Sequence, residues 1–387
     1  MAQEHIFRKP ITDNDRIEWT LAKYGDSHQK HGGMATLATL KARFKRSEAV
    51  ISRGIRQAFS RGLVKVIVEK SFAEIPQRNN RLEELLLEMY PGLKTAIVID
   101  VDAPPSSSEN LSDYDDNVHK KLGTALAAVI TTSLIDLDGK AVALSSGRGV
   151  HYVVQGLKKH KLRANNVSLL SLTGDVFFPT SLTPFAPMDA NRNVQDMYEC
   201  LPNDTFINTI KAPLAPPRKD LYRYLKNTWL GRWKENRPDY AIIGVGVLYK
   251  GHRFWDYALT PPQELKSFLN PIAETLKLLV ASCNEIIKKN QHYYPVADIA
   301  NHFFFVEPPN GAIITSSQKS TIQKLIKKIN EQLINVRADQ LKEIPHLILV
   351  AGSSKKTFAI RKMLERNNNL TCLTVDSEVA TKIMGLK

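Results

Sequence analysis

The spacing of hydrophobic residues changes near Lys94. Before it, apolar positions recur every three or four residues, the period of a helix with one buried face. DRIEWTLAKYGDS predicts a first helix, with Ile17, Leu21 and Tyr24 turned toward its neighbours. The stretch ATLATLKARFKRSEAVISRGIRQAFSRGLVKVIVE predicts a short helix over 37–43, a tight turn over 44–46, a second helix over 47–60 and a strand over 63–68. On the second helix Ile51, Ile55, Ala58 and Phe59 share one side; Ala49, Ser52, Arg53, Arg56 and Ser60 share the other. Ser47 is a good N-cap and Glu48 suits a first turn. Val64, Val66 and Val68 would close this small domain as a wing-like edge. RLEELLLEMYPG predicts a further helix, with Leu82, Leu85, Leu86 and Met89 on one side and a stop at Pro91-Gly92. It suits a dimer contact or packing onto the next domain.

After Lys94, short apolar runs alternate with longer amphipathic ones. TAIVIDVD, KAVALSSGRG, NNVSLLSLTGDV, YAIIGVGVLY and HLILVAGSSKK predict strands. NVHKKLGTALAAVITTSLID, GVHYVVQGLKK and TFAIRKMLERN predict helices between them, and a helical stripe from Ile272 to Ile287 predicts a long core or interface helix. APPSSSENLSDYDD is expected to be an acidic, solvated loop. Strands separated by helices imply a parallel sheet covered on both faces. The expected fold class is α/β: a winged helix-turn-helix followed by a Rossmann-like parallel-sheet domain. The expected boundaries are 1–70 for the first domain, 71–80 for a linker and 81–387 for the second.

Charge adds a partner to this picture. The 387 residues carry a formal net charge of +14, which favours an anionic partner. Residues 41–70 hold nine basic residues against two acids, the electrostatic footprint of a nucleic-acid contact. The exposed face of the second helix is small, hydroxylic and basic. It can approach a groove closely and reach base edges and phosphates. The candidate DNA-binding residues are Arg46, Ser47, Ala49, Ser52, Arg53 and Arg56. Cys200, Cys283 and Cys372 are odd in number and far apart, which gives neither a disulfide framework nor a zinc spacing. His28 and His31 lack carboxylate or cysteine neighbours and are not read as a metal site. No run of about 18 apolar residues suits a membrane span. A cytoplasmic protein without metal or cofactor is expected.

Four expected strand ends carry small residues before a helix: 145–149, 172–175, 244–246 and 351–356. In open α/β sheets ligands bind outside the carboxyl ends of the strands, and helix N-termini attract anions. Arg148 and Lys356 would add positive charge. The pattern points to a small anionic ligand.

These residues carry a resemblance. SEAVISRGIRQAFSRGLVKVIVE resembles the recognition helix and following strand of the SorC-type sugar-binding transcriptional regulators, a family with a Ser-x-x-x-Val-Ser-Arg-Leu-Leu run and then Gly-Ile-Val. Ser47, Ile51, Ser52, Arg53, Gly62, Leu63 and Val64 match. Gly54 stands where the family has leucine, and should loosen the helix by roughly 0.5–1 kcal/mol relative to alanine. From about Arg81 onward LGTALAAVI, ALSSGRGV, SLTGDV, DYAIIGVGV, VADIANHFF, LILVAGSSKKTFAIRKML and LTVDSEVA fall in the family's order. The resemblance implies a domain related to sugar-phosphate isomerases and deaminases, holding a phosphorylated sugar as effector. It places Ser146, Gly147 and Arg148 on the phosphate side, Gly174 and Gly246 along the pocket, and Asp298 and Lys356 toward sugar and phosphate. The chain departs from the family at Ser146, Gly149, Asp175, Ser353 and Phe305, where tryptophan, threonine, glycine, glycine and aspartate are usual. Loss of the threonine hydroxyl removes a phosphate donor, and Asp175 would oppose an anion or pair with Arg148.

The expected function is a regulator of transcription that binds a double-stranded DNA operator, answers to a sugar or sugar phosphate, and assembles as a dimer or tetramer. The alternative is a sugar-phosphate isomerase or deaminase with an appended domain, for which Asp298 and His302 are the candidate acid-base pair. A nicotinamide enzyme is disfavoured, because Gly147-Arg148-Gly149 is not followed by the third glycine of the dinucleotide fingerprint.

Overall fold

The computed structural model describes residues 11–24, 37–60, 76–102, 111–132, 135–160, 162, 164–175, 188–202, 204–249, 266–290 and 293–385. The chain divides into two compact units, Met1–Ala73 and Glu74–Lys387.

The first unit contains α1 (Asp13–Tyr24), α2 (Leu37–Phe44) and α3 (Glu48–Ser60). The turn between α2 and α3 uses Lys45 at φ 50°. Ser47 caps α3, its hydroxyl accepting from the Val50 N–H at 3.4 Å. Trp19, Leu40, Ile51 and Ile55 form the buried core, so the apolar face of α3 read from the sequence is the one that packs. The side chains of Ile17, Leu21, Tyr24 and Phe59, the strand expected over 63–68, and His28 and His31 lie outside the described residues.

The second unit opens with α4 (Asn80–Met89), whose buried Leu86 joins the main core, and β1 (Thr95–Ile99). The end of the expected linker is tied to β1: Asn79 N–H donates to the Val98 carbonyl at 2.8 Å and Asp100 N–H to the Gln77 carbonyl at 3.2 Å. Then follow α5 (Leu111–Thr131), β2 (Ala141–Leu144), α6 (Arg148–Lys159), β3 (Ser168–Ser171), α7 (Ala190–Tyr198), β4 (Phe206–Asn208), α8 (Arg218–Asn227), α9 (Trp233–Asn236), β5 (Tyr240–Ile243), β6 (Val245–Val247) and α10 (Lys266–Lys289). The described chain ends with β7 (Val296–Ile299), β8 (His302–Phe305), α11 (Ser316–Asn330), α12 (Ala338–Glu343), β9 (His346–Val350), α13 (Thr357–Arg366), β10 (Leu370–Asp376) and α14 (Ser377–Met384).

Seven parallel strands form the main sheet in the order β1-β10-β9-β5-β2-β3-β4. Successive residues of a strand point to opposite faces. Ile97, Val142, Leu144, Ile242 and Ile348 therefore pack against α5 and α6, while Ala96, Val98, Ala143, Ile243 and Leu349 pack in the other layer with α10, α11 and α14. Both faces are covered, as a parallel sheet requires.

Two expectations change. The helix after β1 starts at Leu111, inside the segment read as an acidic loop. Asp113 lies in its first turn, where negative charge meets the positive end of the helix dipole. YAIIGVGVLY is two strands, divided at Gly244: β5 belongs to the parallel sheet and β6 to a separate three-stranded antiparallel sheet with β7 and β8.

The strand order fixes where a cleft forms. From β2 the chain moves outward to β3 and β4; from β5 it moves the opposite way to β9 and β10. The crossovers after β2 and β5 diverge, the topology at which open α/β sheets hold ligands beyond the carboxyl ends of their strands.

Candidate functional site

In the first unit, α3 presents one outward face. Ala49, Arg53 and Arg56 are exposed and Ser52 is partly exposed, while Ile51, Ile55 and Ala58 are buried behind them. Ser47 is exposed at the helix start, and Arg46 is partly exposed beside it. The six sequence-predicted residues thus fall on the turn and on one side of a short helix.

In the second unit, the loops at the carboxyl ends of the neighbouring strands β2 and β5 meet. Ser145 is fully buried there, its hydroxyl accepting from the Gly244 N–H at 3.2 Å and donating to the Ser146 carbonyl at 2.9 Å. This ties the two loops together. The Ser146 hydroxyl accepts from Asn301 Nδ2 at 3.3 Å, linking the loop to the β7–β8 turn. Gly147 has φ 115° and precedes α6 with no side-chain cap, so the first-turn N–H groups of α6 are not taken by a capping side chain. Gly149 packs on β9: a Cβ there would lie 3.0 Å from the Val350 carbonyl oxygen. The glycine that replaces the family's threonine therefore sits where helix and strand approach closely.

Gly246 and Asp298 face each other across the β6–β7 pair. A Cβ on Gly246 would overlap the Asp298 carboxylate, so the glycine makes the room that the carboxylate occupies.

Lys356 lies in the turn after β9, at the start of α13. Its Nζ lies 3.2 Å from His119 Nε2, and His119 Nδ1 lies 2.6 Å from the Asp115 carbonyl oxygen. A carbonyl oxygen only accepts, so Nδ1 carries the proton and Nε2 accepts from the lysine. Burial and, after it, Arg148 lower the Lys356 pKa, while Asp115, Asp298 and Asp376 raise it; the net result is about 8. Arg148 and Asp298 are therefore each within electrostatic reach of Lys356. Asp376 is buried and caps α14, accepting from the Val379 N–H at 2.8 Å and the Ser353 N–H at 3.0 Å. Burial raises its carboxyl pKa, and these two N–H groups hold it down.

Ser146, Gly147, Arg148, Gly246, Asp298 and Lys356 are thus gathered at one edge of the sheet. Gly174 has a different local role. Its N–H donates to the Ile334 carbonyl at 2.7 Å, and a Cβ would lie 2.9 Å from the Ala212 carbonyl oxygen. Glycine there permits close backbone packing. Among the described residues, no ion pair joins Arg148 to Asp175, which keeps partners of its own. His119, Asp115, Asn301 and Asp376 are the residues the sequence reading missed. Asp376 had a local signal, an acid between a strand and a helix; His119 had none, because its partner is 237 positions away.

The acid-base pair required by the enzyme alternative is not assembled. Asp298 pairs with Phe303 and His302 with Ile299, so the two side chains emerge on opposite faces of the small sheet. His302 instead lines a separate cavity of about 700 Å³ with Asn330, Arg337 and Asp339, and burial lowers its pKa.

Known proteins share this fold. The family described as “Putative sugar-binding domain” matches residues 322–385, the stretch that carries Lys356 and Asp376. No curated protein matches the chain. Among solved structures, the full-length sorbitol operon regulator SorC from Klebsiella pneumoniae is similar over 96% of this chain and 99% of that chain, with 16% identity and a TM-score of 0.51. A DeoR family transcriptional regulator from Listeria monocytogenes covers 79% of this chain and 98% of its own, with 16% identity and a TM-score of 0.54. The probable sor operon regulator from Shigella flexneri covers 79% and 99%, with 17% identity and a TM-score of 0.52. The fold is theirs, and the resemblance to SorC-type regulators read from the sequence holds at the level of architecture.

Proposed function

We propose that this chain is a DNA-binding transcriptional regulator whose operator affinity is set by a carbohydrate effector held in the crevice between β2 and β5. The observation that carries the reading is the convergence of Arg148 and Lys356, from two helix starts remote in sequence, at the point where the strand order reverses. Carboxylate and hydroxyl acceptors beside them suit the hydroxyl groups of a sugar. Two cations and the uncapped start of α6 suit its phosphate. In this reading Ser146, Gly147, Arg148, Gly246, Asp298 and Lys356 meet the effector, and Gly174 supports the crevice from behind.

Arg46, Ser47, Ala49, Ser52, Arg53 and Arg56 are the proposed operator contacts. The proposed division is a DNA-binding domain over 1–70, a linker over 71–80 and an effector and assembly domain over 81–387. A single helix-turn-helix reads half of a two-fold site, so the working form is a dimer or tetramer. The neighbours of this fold are named as regulators, not enzymes, which supports the same choice.

Thermal unfolding in the presence of individual sugars and sugar phosphates tests the effector. A ligand at about one hundred times its Kd stabilises the folded state by about 2.7 kcal/mol. A phosphorylated sugar should raise the melting temperature of the wild type and not of Lys356→Ala. If no sugar or sugar phosphate moves the wild-type transition, the carbohydrate reading fails.

A further inference from the structure

The proposed function leaves one strongly basic stretch unused. Residues 41–70 carry a net +7, which the helix-turn-helix reading absorbs; residues 211–237 carry a net +6, which it does not. The second stretch has eight Lys or Arg residues and two acids, and all eight basic residues are exposed.

This stretch is held rigidly. Trp229 and Trp233 are buried and stacked, with ring centroids 5.6 Å apart. Trp229 Nε1 donates to the Ser171 carbonyl at 3.0 Å and Trp233 Nε1 to Glu343 at 2.6 Å. Leu221, Tyr224 and Leu225 pack on the main core from the inner side of α8. The outer side presents Lys219, Tyr222, Arg223 and Lys226 at helical spacing, with Tyr222 76% exposed. Arg232, Lys234 and Arg237 follow, exposed, on the next turns. Like charges crowded within a Debye length repel one another and oppose folding, and an opposite charge brought against them relieves that repulsion.

We propose that α8 and the turns that follow it form a second nucleic-acid contact, carried by the effector-binding unit and directed at the phosphate backbone of duplex DNA. The observations favour DNA over a lipid surface. A membrane-surface helix places Leu and Trp outward among its basic residues, and here Leu221, Leu225, Trp229 and Trp233 face inward. An exposed tyrosine hydroxyl among Lys and Arg is the usual equipment for phosphate contacts, which position a protein without reading sequence. The inference rests on the regulator reading for its choice of polyanion, and the two are tested by different residues.

The experiment measures binding of the full-length chain to a random-sequence DNA duplex of a few helical turns, at several salt concentrations. The variant is Lys219→Gln/Lys226→Gln/Lys234→Gln, in which three exposed residues keep their size and lose their charge. Each lost phosphate contact lowers the slope of log affinity against log salt by about 0.9. The triple variant should therefore lose about 2.7 from the slope, roughly an order of magnitude or more in affinity at moderate salt, with a melting temperature equal to or above that of the wild type. An unchanged slope overturns the proposal. So does binding of the wild type to phosphatidylglycerol vesicles through the same three lysines with DNA binding unaffected. Arg53→Ala separates the readings: wild-type affinity in that variant removes α3 as the DNA reader and leaves the test of α8 standing.

Discussion

Gly54 lies against Trp19: a Cβ on the glycine would come within 2.6 Å of two carbons of the indole six-membered ring. Gly54 is buried at the inner side of α3, and Trp19 is 3% exposed. The glycine that should loosen this helix by its backbone freedom is the residue that admits the tryptophan of α1.

Gly54→Leu should therefore destabilise the first unit by about 1–3 kcal/mol through overpacking. Hydrogen exchange of the α3 amides in the full chain measures it. Trp19→Ala in the same chain should recover part of the loss, since the space the leucine needs is then open. Equal protection in wild type and Gly54→Leu would show that the contact does not constrain the helix.

Arg53 is exposed on α3, and no described side chain bonds with it. Arg53→Ala should weaken operator binding by about 1–3 kcal/mol and relax discrimination at one base position, while the melting temperature stays within error of wild type. Gel-shift titration against specific and scrambled duplexes reads both effects.

The Lys356 pKa, lowered to about 8, predicts two opposite pH trends. The unfolded lysine keeps its proton to its ordinary value of 10.5. As pH rises through about 8, the folded chain therefore holds fewer protons than the unfolded chain, and its contribution to stability increases up to that ordinary value. Anion binding runs the other way. Affinity for a phosphorylated sugar should fall by up to about tenfold per pH unit above the folded pKa, as the ammonium is lost. Calorimetric titration at several pH values, with Lys356→Arg as the variant that stays charged, checks this. A wild-type affinity that is flat across this range removes Lys356 from the anion contact.

Ser353 adopts φ 83°, ψ 124°, a backbone region costly for any residue with a Cβ. Ser353→Gly should stabilise the second unit by about 1 kcal/mol or more, because the N–H bond to Asp376 needs no side chain. Chemical denaturation reads the change; a destabilised variant would mean that the hydroxyl has a partner worth more than the strain.

Much of this protein was legible along the chain. The amphipathic period of 47–60 separated Ile51, Ile55 and Ala58 from Arg53 and Arg56, because a helix with one apolar stripe has one way to face a core. Continuous apolar runs such as AIVI and LILV marked strands buried on both faces, and small residues after them marked the loops where a ligand could enter. These are local properties, and local sequence decides them. What it left open depended on distant partners. YAIIGVGVLY reads as one strand, and only pairing with β9 and β7 breaks it at Gly244 into members of two sheets. The loops after β2 and β5 meet because those two strands pair side by side in the sheet, far apart though they are in sequence. Arg148 and Lys356 each looked like a charge at a helix start; their meeting, and the hold of His119 on Lys356 across 237 positions, is a consequence of that adjacency. Gly54 and Trp19 make the same point on a smaller scale. Each is unfavourable or unremarkable in its own helix, and the reason for both appears only where the helices touch.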